Sequence, residues 1–455
     1  MEQQIHGVTA GSFEPAAEQG RYGAIGRMLR WRLYPGLFHW PLYVALAILI
    51  YFAFAPGQRG EGNLATEVVW RLWWPLLPFV LLLAGRIWCG VCPFGGAADA
   101  AGRLVGKRPA PPSFFRKAGP WLGAASVFAF GIAFLALGLE SNSGATGIIL
   151  IAMTLLAAGL SLMYRGRTFC RYLCPVGMIS RVYSFFSWSR PQGSSDRQAV
   201  KSCPVGLSTV SLRQPSQCHL CGACTEVHAP GGITTRFTPG GMRKPQAREF
   251  GRPEATLSLL LLGLMAADSV RMTSLFARYQ QTALPVFSYN YRLTVVAGVT
   301  ALAGLVLAAQ LLISRLGVER HGWSPAFARA SFTLLPLTLG VFLSLALQHL
   351  WSGALPSLQT ILVESRLTDW SGHMPPANVY FTSLPLKAIQ FTMLGAGLFL
   401  SLKVAGAEPW EKSFAEGPRP AGDVRMSGAW TRRAIVLMAA AGFGFLFYLP
   451  MSGAC

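Results

Sequence analysis

Apolar residues gather along this chain into runs of roughly 17–25 positions, the length a helix needs to cross a bilayer. About nine runs stand out, at 38–55, 67–85, 120–139, 147–164, 255–272, 293–314, 331–351, 387–405 and 433–451. Two are interrupted: 67–85 carries Arg71 and two prolines, and 255–272 contains Asp268. The pattern predicts an all-α polytopic membrane protein of about nine transmembrane helices. It divides the chain into an N-terminal segment 1–37, a four-span part 38–188, a polar insert 189–253 and a five-span part 254–455.

Composition strengthens the membrane reading, since 52% of residues are hydrophobic and only 13% charged, against roughly 25% charged in soluble domains. The net charge of +20 would suit nucleic acid, but its placement argues otherwise. Arg27, Arg30 and Arg32 precede the first run, Arg103, Lys107, Arg108, Arg116 and Lys117 follow the second, and 165–252 is dense in Arg and Lys. The intervening loops 56–66 and 140–146 hold one basic residue, Arg59. This alternation is the positive-inside pattern, and nucleic acid is not an expected partner. It predicts a multi-pass protein of a bacterial inner membrane, with a cytoplasmic amino terminus read as an uncleaved anchor. With nine spans, Cys455 ends in the periplasm.

Eight of the nine cysteines are grouped. Arg86-Ile-Trp-Cys89-x2-Cys92-Pro93-Phe-Gly95 and Arg167-Thr-Phe-Cys170-x3-Cys174-Pro175-Val-Gly177 are two copies of one motif, each following a pair of apolar runs. Both copies fall on the predicted cytoplasmic side, where thiols stay reduced, so metal or redox chemistry explains them better than structural disulfides. Two hairpins side by side would bring together four thiolates, the number a [4Fe–4S] cluster needs. Redox-active dithiols and a zinc ion remain the alternatives. The proline after each second cysteine can open a short helix whose free amides favour negative thiolates. Residues 176–188 are expected to lie along the membrane surface with one apolar face.

The insert carries a further set: Cys203-Pro204, then Cys218-x2-Cys221-x2-Cys224. Bacterial ferredoxins use C-x2-C-x2-C-x3-C-P runs whose last cysteine serves the second cluster. Here the fourth position of the triplet is His228, and Gly193, Asp196 and Ala199 stand where a triplet upstream of Cys203 would be. Cys203, Cys218, Cys221 and Cys224 therefore suit one [4Fe–4S] cluster in a small ferredoxin-like cytoplasmic insert. Cys89, Cys92, Cys170 and Cys174 are candidates for a second, shared cluster.

These motifs resemble the NapH/NosR/MauN-type polyferredoxin membrane proteins over about residues 38–250. The resemblance implies electron passage between the quinone pool, or a cytoplasmic donor, and an extracytoplasmic redox partner, as in a quinol dehydrogenase-type component, or support of metalloenzyme maturation. The first motif here is C-x2-CP where the family usually shows C-x3-CP, and the region beyond 255 lies outside the resemblance.

The second half offers scattered polar candidates. Asp268 and Arg271 stand i,i+3 near the outer end of the fifth run, suiting a neutralising pair, a proton relay or a quinone headgroup. His349 and His373, with Glu364, Asp369 and Met374, could line an outer pocket. A bis-histidine haem is not expected, because His39 and His349 fall on opposite faces, ~30 Å apart. Two functions follow: a membrane-bound iron–sulfur electron-transfer protein drawing on quinol or a cytoplasmic donor, or a transport or metalloenzyme-assembly factor with redox-sensing clusters.

Overall fold

The computed structural model describes residues 24–55, 63–192, 203–206, 216, 218–223, 234–238, 250–316, 323–364, 384–406 and 427–449. Without water in the hydrocarbon, a segment must satisfy its own backbone groups, and these apolar runs do so as helices. The first hairpin pairs α1 (Gly36–Phe54) with α2 (Leu64–Ala84), and a short helix α3 (Pro93–Leu104) follows its cysteine motif. A second hairpin of α4 (Ser113–Leu137) and α5 (Ser143–Met163) is followed by its own motif and α6 (Pro175–Tyr183). The second half runs α7 (Arg252–Arg271), α8 (Ser274–Val286), α9 (Tyr291–Leu316), α10 (Trp323–Glu364), α11 (Leu384–Gly406) and α12 (Ser427–Tyr448).

Eight helices among the described residues are long and apolar enough to cross a membrane: α1, α2, α4, α5, α7, α9, α10 and α11. The ninth expected run, 433–451, coincides with α12. The interrupted run 67–85 forms α2 by local adjustment. Asn63 caps its start, accepting from the Ala65 amide at 2.8 Å, and residues Glu67–Trp73 widen to a π-helix. That turn brings Arg71 within 3.0 Å of the buried Glu67 carboxylate, so two charges enter as a pair.

In the second half, α10 and α11 are joined by a polar zip. Gln390 Nε2 donates to Gln348 Oε1 at 2.9 Å, and Ser344 Oγ donates to the Gln390 carbonyl at 3.0 Å. Interhelical hydrogen bonds of this kind take over where apolar burial gives no preference between lipid and protein.

A small ribbon closes off the stretch of the insert between residues 192 and 234, which contains its cysteines. Strand β1 (Ser189–Gln192) pairs antiparallel with β2 (Thr234–Phe237), Ser189 opposite Phe237 and Gln192 opposite Thr234. The helix after the second motif departs from expectation. Every residue of α6 except Arg181 is buried, so it is packed inside the protein and does not lie on the membrane surface. Its environment explains this: Tyr183 stacks near Phe342 of α10 at 5.5 Å, while Arg181 pairs with Glu254 of α7 at 2.9 Å.

Candidate metal centre

Each cysteine motif is a short helical turn, a break and a new helix. Residues Ile87–Val91 precede α3, and Thr168–Tyr172 precede α6. Proline occupies the first position of both new helices, as its locked φ and missing N–H favour. In the second copy the Gly177 amide donates to Cys174 Sγ at 3.3 Å, the helix-start contact that favours a thiolate.

The two copies hold each other through reciprocal arginines, both almost fully buried. Arg86, three residues before Cys89, donates from Nη2 to the carbonyl of Gly177 in the other copy at 3.1 Å. Arg167, three residues before Cys170, donates from Nη1 to the carbonyl of Cys89 at 2.7 Å. Arg167 is further clamped by Asp99 of α3, at 3.1 Å through Nε and 2.6 Å through Nη2. Each copy is therefore tied to a backbone carbonyl of the other.

The insert is seated on these same motifs. Arg86 Nη1 donates to the Ser216 carbonyl at 2.7 Å, and Tyr34 Oη donates to the Leu220 carbonyl at 2.6 Å, bracketing Cys218 from the first copy. From the second copy, the Arg167 amide donates to the Pro204 carbonyl at 2.8 Å and Arg171 Nη1 to the Val205 carbonyl at 2.7 Å, beside Cys203. Close approach dictates glycine at two contacts. A Cβ on Gly90 would stand 2.6 Å from the Leu220 carbonyl oxygen, and one on Gly166, whose φ is +80°, would collide with the Pro204 carbonyl oxygen.

Burial dominates the chemistry of the thiols. It pushes Cys92 up to about 11 and Cys170 up to about 12, with the nearby Arg167 charge pulling both back down. Cys174 is raised well above an ordinary thiol, first by burial and then by Cys170, Cys92 and Cys89. Burial also raises Cys221 and, with Arg86, Arg167 and Arg171, holds His219 well below its usual value and neutral. Among the described residues, no three Cys, His, Asp or Glu side chains converge as they would on a single ion; in a four-iron cube each thiolate would bind a different iron. Cys224 and His373 lie outside the described residues. Tyr34, Asp99, His219 and the two arginines were not singled out from the sequence. Only the arginines left a trace there, as the repeated Arg three residues ahead of each first cysteine.

The outer candidates are drawn into one ionic group. Arg271 reaches Glu140 at 3.2 Å and Asp268 at 3.4 Å, the second being the expected pair. His349 lies 3.6 Å from Glu140 and 4.0 Å from Asp268, whereas His39 sits at the opposite end of the bundle, 3.2 Å from the Gly90 carbonyl. Asp268 and His349 open onto an apolar cleft of about 90 Å³ between the two halves, walled by Trp74, Phe130, Phe134 and Phe342. Ile179 of α6, five residues and about 7.5 Å of helix from Cys174, also lines it.

The family described as a 4Fe-4S binding domain matches this chain twice, at residues 66–111 and 146–191. Each match covers the second helix of one hairpin and the cysteine motif after it. Among curated proteins, protein NirI of Paracoccus denitrificans (strain Pd 1222) is 27% identical over 219 residues, 41% of this chain. The match spans 31% of that relative's length. No solved structure matches. Two 4Fe-4S domain matches on the two copies of the repeat, within a bundle of membrane-length helices, fit a polyferredoxin-type 4Fe–4S membrane protein.

Proposed function

We propose that the protein is an electron-transfer component that takes electrons from quinol or a cytoplasmic donor and passes them, through two [4Fe–4S] clusters, toward an extracytoplasmic acceptor. Cys203, Cys218, Cys221 and Cys224 hold one cluster, and Cys89, Cys92, Cys170 and Cys174 hold the other. The burial of Cys170 and Cys174 supports this over a dithiol relay in the second copy. Thiol–disulfide exchange needs an accessible thiolate, which burial suppresses at neutral pH. Metal ligation supplies the charge that displaces those protons.

The observation that carries the quinol reading is the cleft. It leads from the helix that starts at Cys174 to the paired Asp268 and His349, and a lipid-soluble donor could enter it from the bilayer. Its free volume suits one end of such a molecule, the remainder lying in lipid. Oxidation of a quinol releases two electrons and two protons; the clusters, when bound, supply one-electron acceptance. Asp268 and His349 would accept the protons, Arg271 and Glu140 holding them in place. Purified protein mixed anaerobically with a short-chain quinol should bleach in the visible region. Asp268→Asn and His349→Gln should each slow that step about 100-fold with iron content unchanged. Full iron with no bleaching in the parent would instead favour a maturation or transport role.

A further inference from the structure

Of the largely buried arginines in the two cysteine motifs and α6, two have carboxylates. Arg167 is clamped by Asp99 and Arg181 is paired with Glu254. Arg86 is 4% exposed, yet no carboxylate among the described residues lies within ion-pair distance of it. Its partners are two carbonyl oxygens, at 2.7 and 3.1 Å, and the sulfur of Cys89 at 3.9 Å. Carbonyl dipoles orient a guanidinium but leave its charge uncompensated, and an uncompensated buried cation is strongly destabilising. Among the described residues, the group that Arg86 meets besides those two carbonyls is the Cys89 sulfur. A cysteine that ligates iron does so as a thiolate, so a cluster held at Cys89 would bring negative charge to this side chain.

We propose that Arg86 is the built-in counter-charge of an anionic iron–sulfur cluster at Cys89, Cys92, Cys170 and Cys174, and that it raises the reduction potential of that cluster. This rests on the shared-cluster reading above. Reduction adds one electron to the site, and a fixed positive charge at its edge stabilises the reduced form over the oxidised one. Arg167, the repeat counterpart, shares its charge with Asp99, so its net effect on a cluster potential should be the smaller of the two. The repeat thus carries one carboxylate-paired arginine and one held by carbonyls. Arg86 is a positioning and tuning residue, since it also ties together Gly177 of the second copy and Ser216 of the insert.

The test is an anaerobic redox titration of the full chain, followed by electron paramagnetic resonance with dithionite as one-electron reductant. Iron and acid-labile sulfide are counted in parallel, and the membrane signal is identified as the one lost in Cys174→Ser. Arg86→Gln should retain its iron, while the reduced-to-oxidised ratio at the parent midpoint falls at least tenfold, a shift of about 59 mV downward for a one-electron couple. Arg86→Lys keeps the charge, and its ratio should stay within about threefold of the parent. Full iron with an unmoved potential in Arg86→Gln would overturn the proposal. Should Arg86→Gln lose its iron, Arg86→Lys decides: full iron at the parent potential supports a charge role, and loss of iron there overturns it. A parent holding about four irons, with the four membrane thiols open to alkylation, would instead remove the shared cluster itself.

Discussion

Gly166 shows how little room separates the insert from the membrane motifs. Its left-handed backbone and its contact with the Pro204 carbonyl both exclude a side chain, so Gly166→Ala should unseat Cys203. Iron should fall from about eight to about four per chain, with the membrane signal kept. Gly106→Ala, which faces open space, should change neither. At this scale the sequence was a partial guide. The cysteines declare themselves by spacing, because ligation needs thiolates at fixed intervals. Tyr34 and Asp99 could not be found that way, since each acts across a long sequence separation on a carbonyl or a guanidinium, and neither contact imposes a local pattern.

At the scale of elements, α6 carries most of the difference between expectation and structure. Its apolar positions were legible, and an amphipathic surface helix was the natural reading of them. What the pattern did not reveal is that α4, α7 and α10 also cover its other faces, because a helix of nine residues cannot show how many sides are covered. The one partly exposed residue, Arg181, meets Glu254 of α7. Glu254→Ala would strand that cation in a mostly buried setting, at a cost of about 3 kcal/mol. The expected outcome is a lower melting temperature in detergent, with loss of the membrane cluster signal ahead of helix unfolding. The hairpin helices, by contrast, were legible nearly to their ends, because bilayer thickness sets their length.

Over the whole molecule, hydropathy gave the bundle, and the internal repeat gave the idea of one site built from two hairpins. The crossing of Arg86 and Arg167 between the copies provides a physical basis for that idea. It predicts that the copies fail together: Cys89→Ser and Cys174→Ser should each lower iron from about eight to about four, removing the same spectrum. Two different lost spectra would mean that the copies do not share a cluster. The role of the second half was not legible, because its contribution is a wall of the cleft and an ionic group whose members lie far apart in sequence. The β1–β2 ribbon has a practical consequence. Because Gln192 faces Thr234 across it, the cysteine-bearing stretch 193–233 begins and ends at one doorway. A two-residue turn could therefore bridge that doorway, leaving a minimal scaffold that carries the membrane thiols alone. Such a scaffold is a starting point for installing a single redox centre inside a bilayer, with the electron's second stop chosen by the engineer.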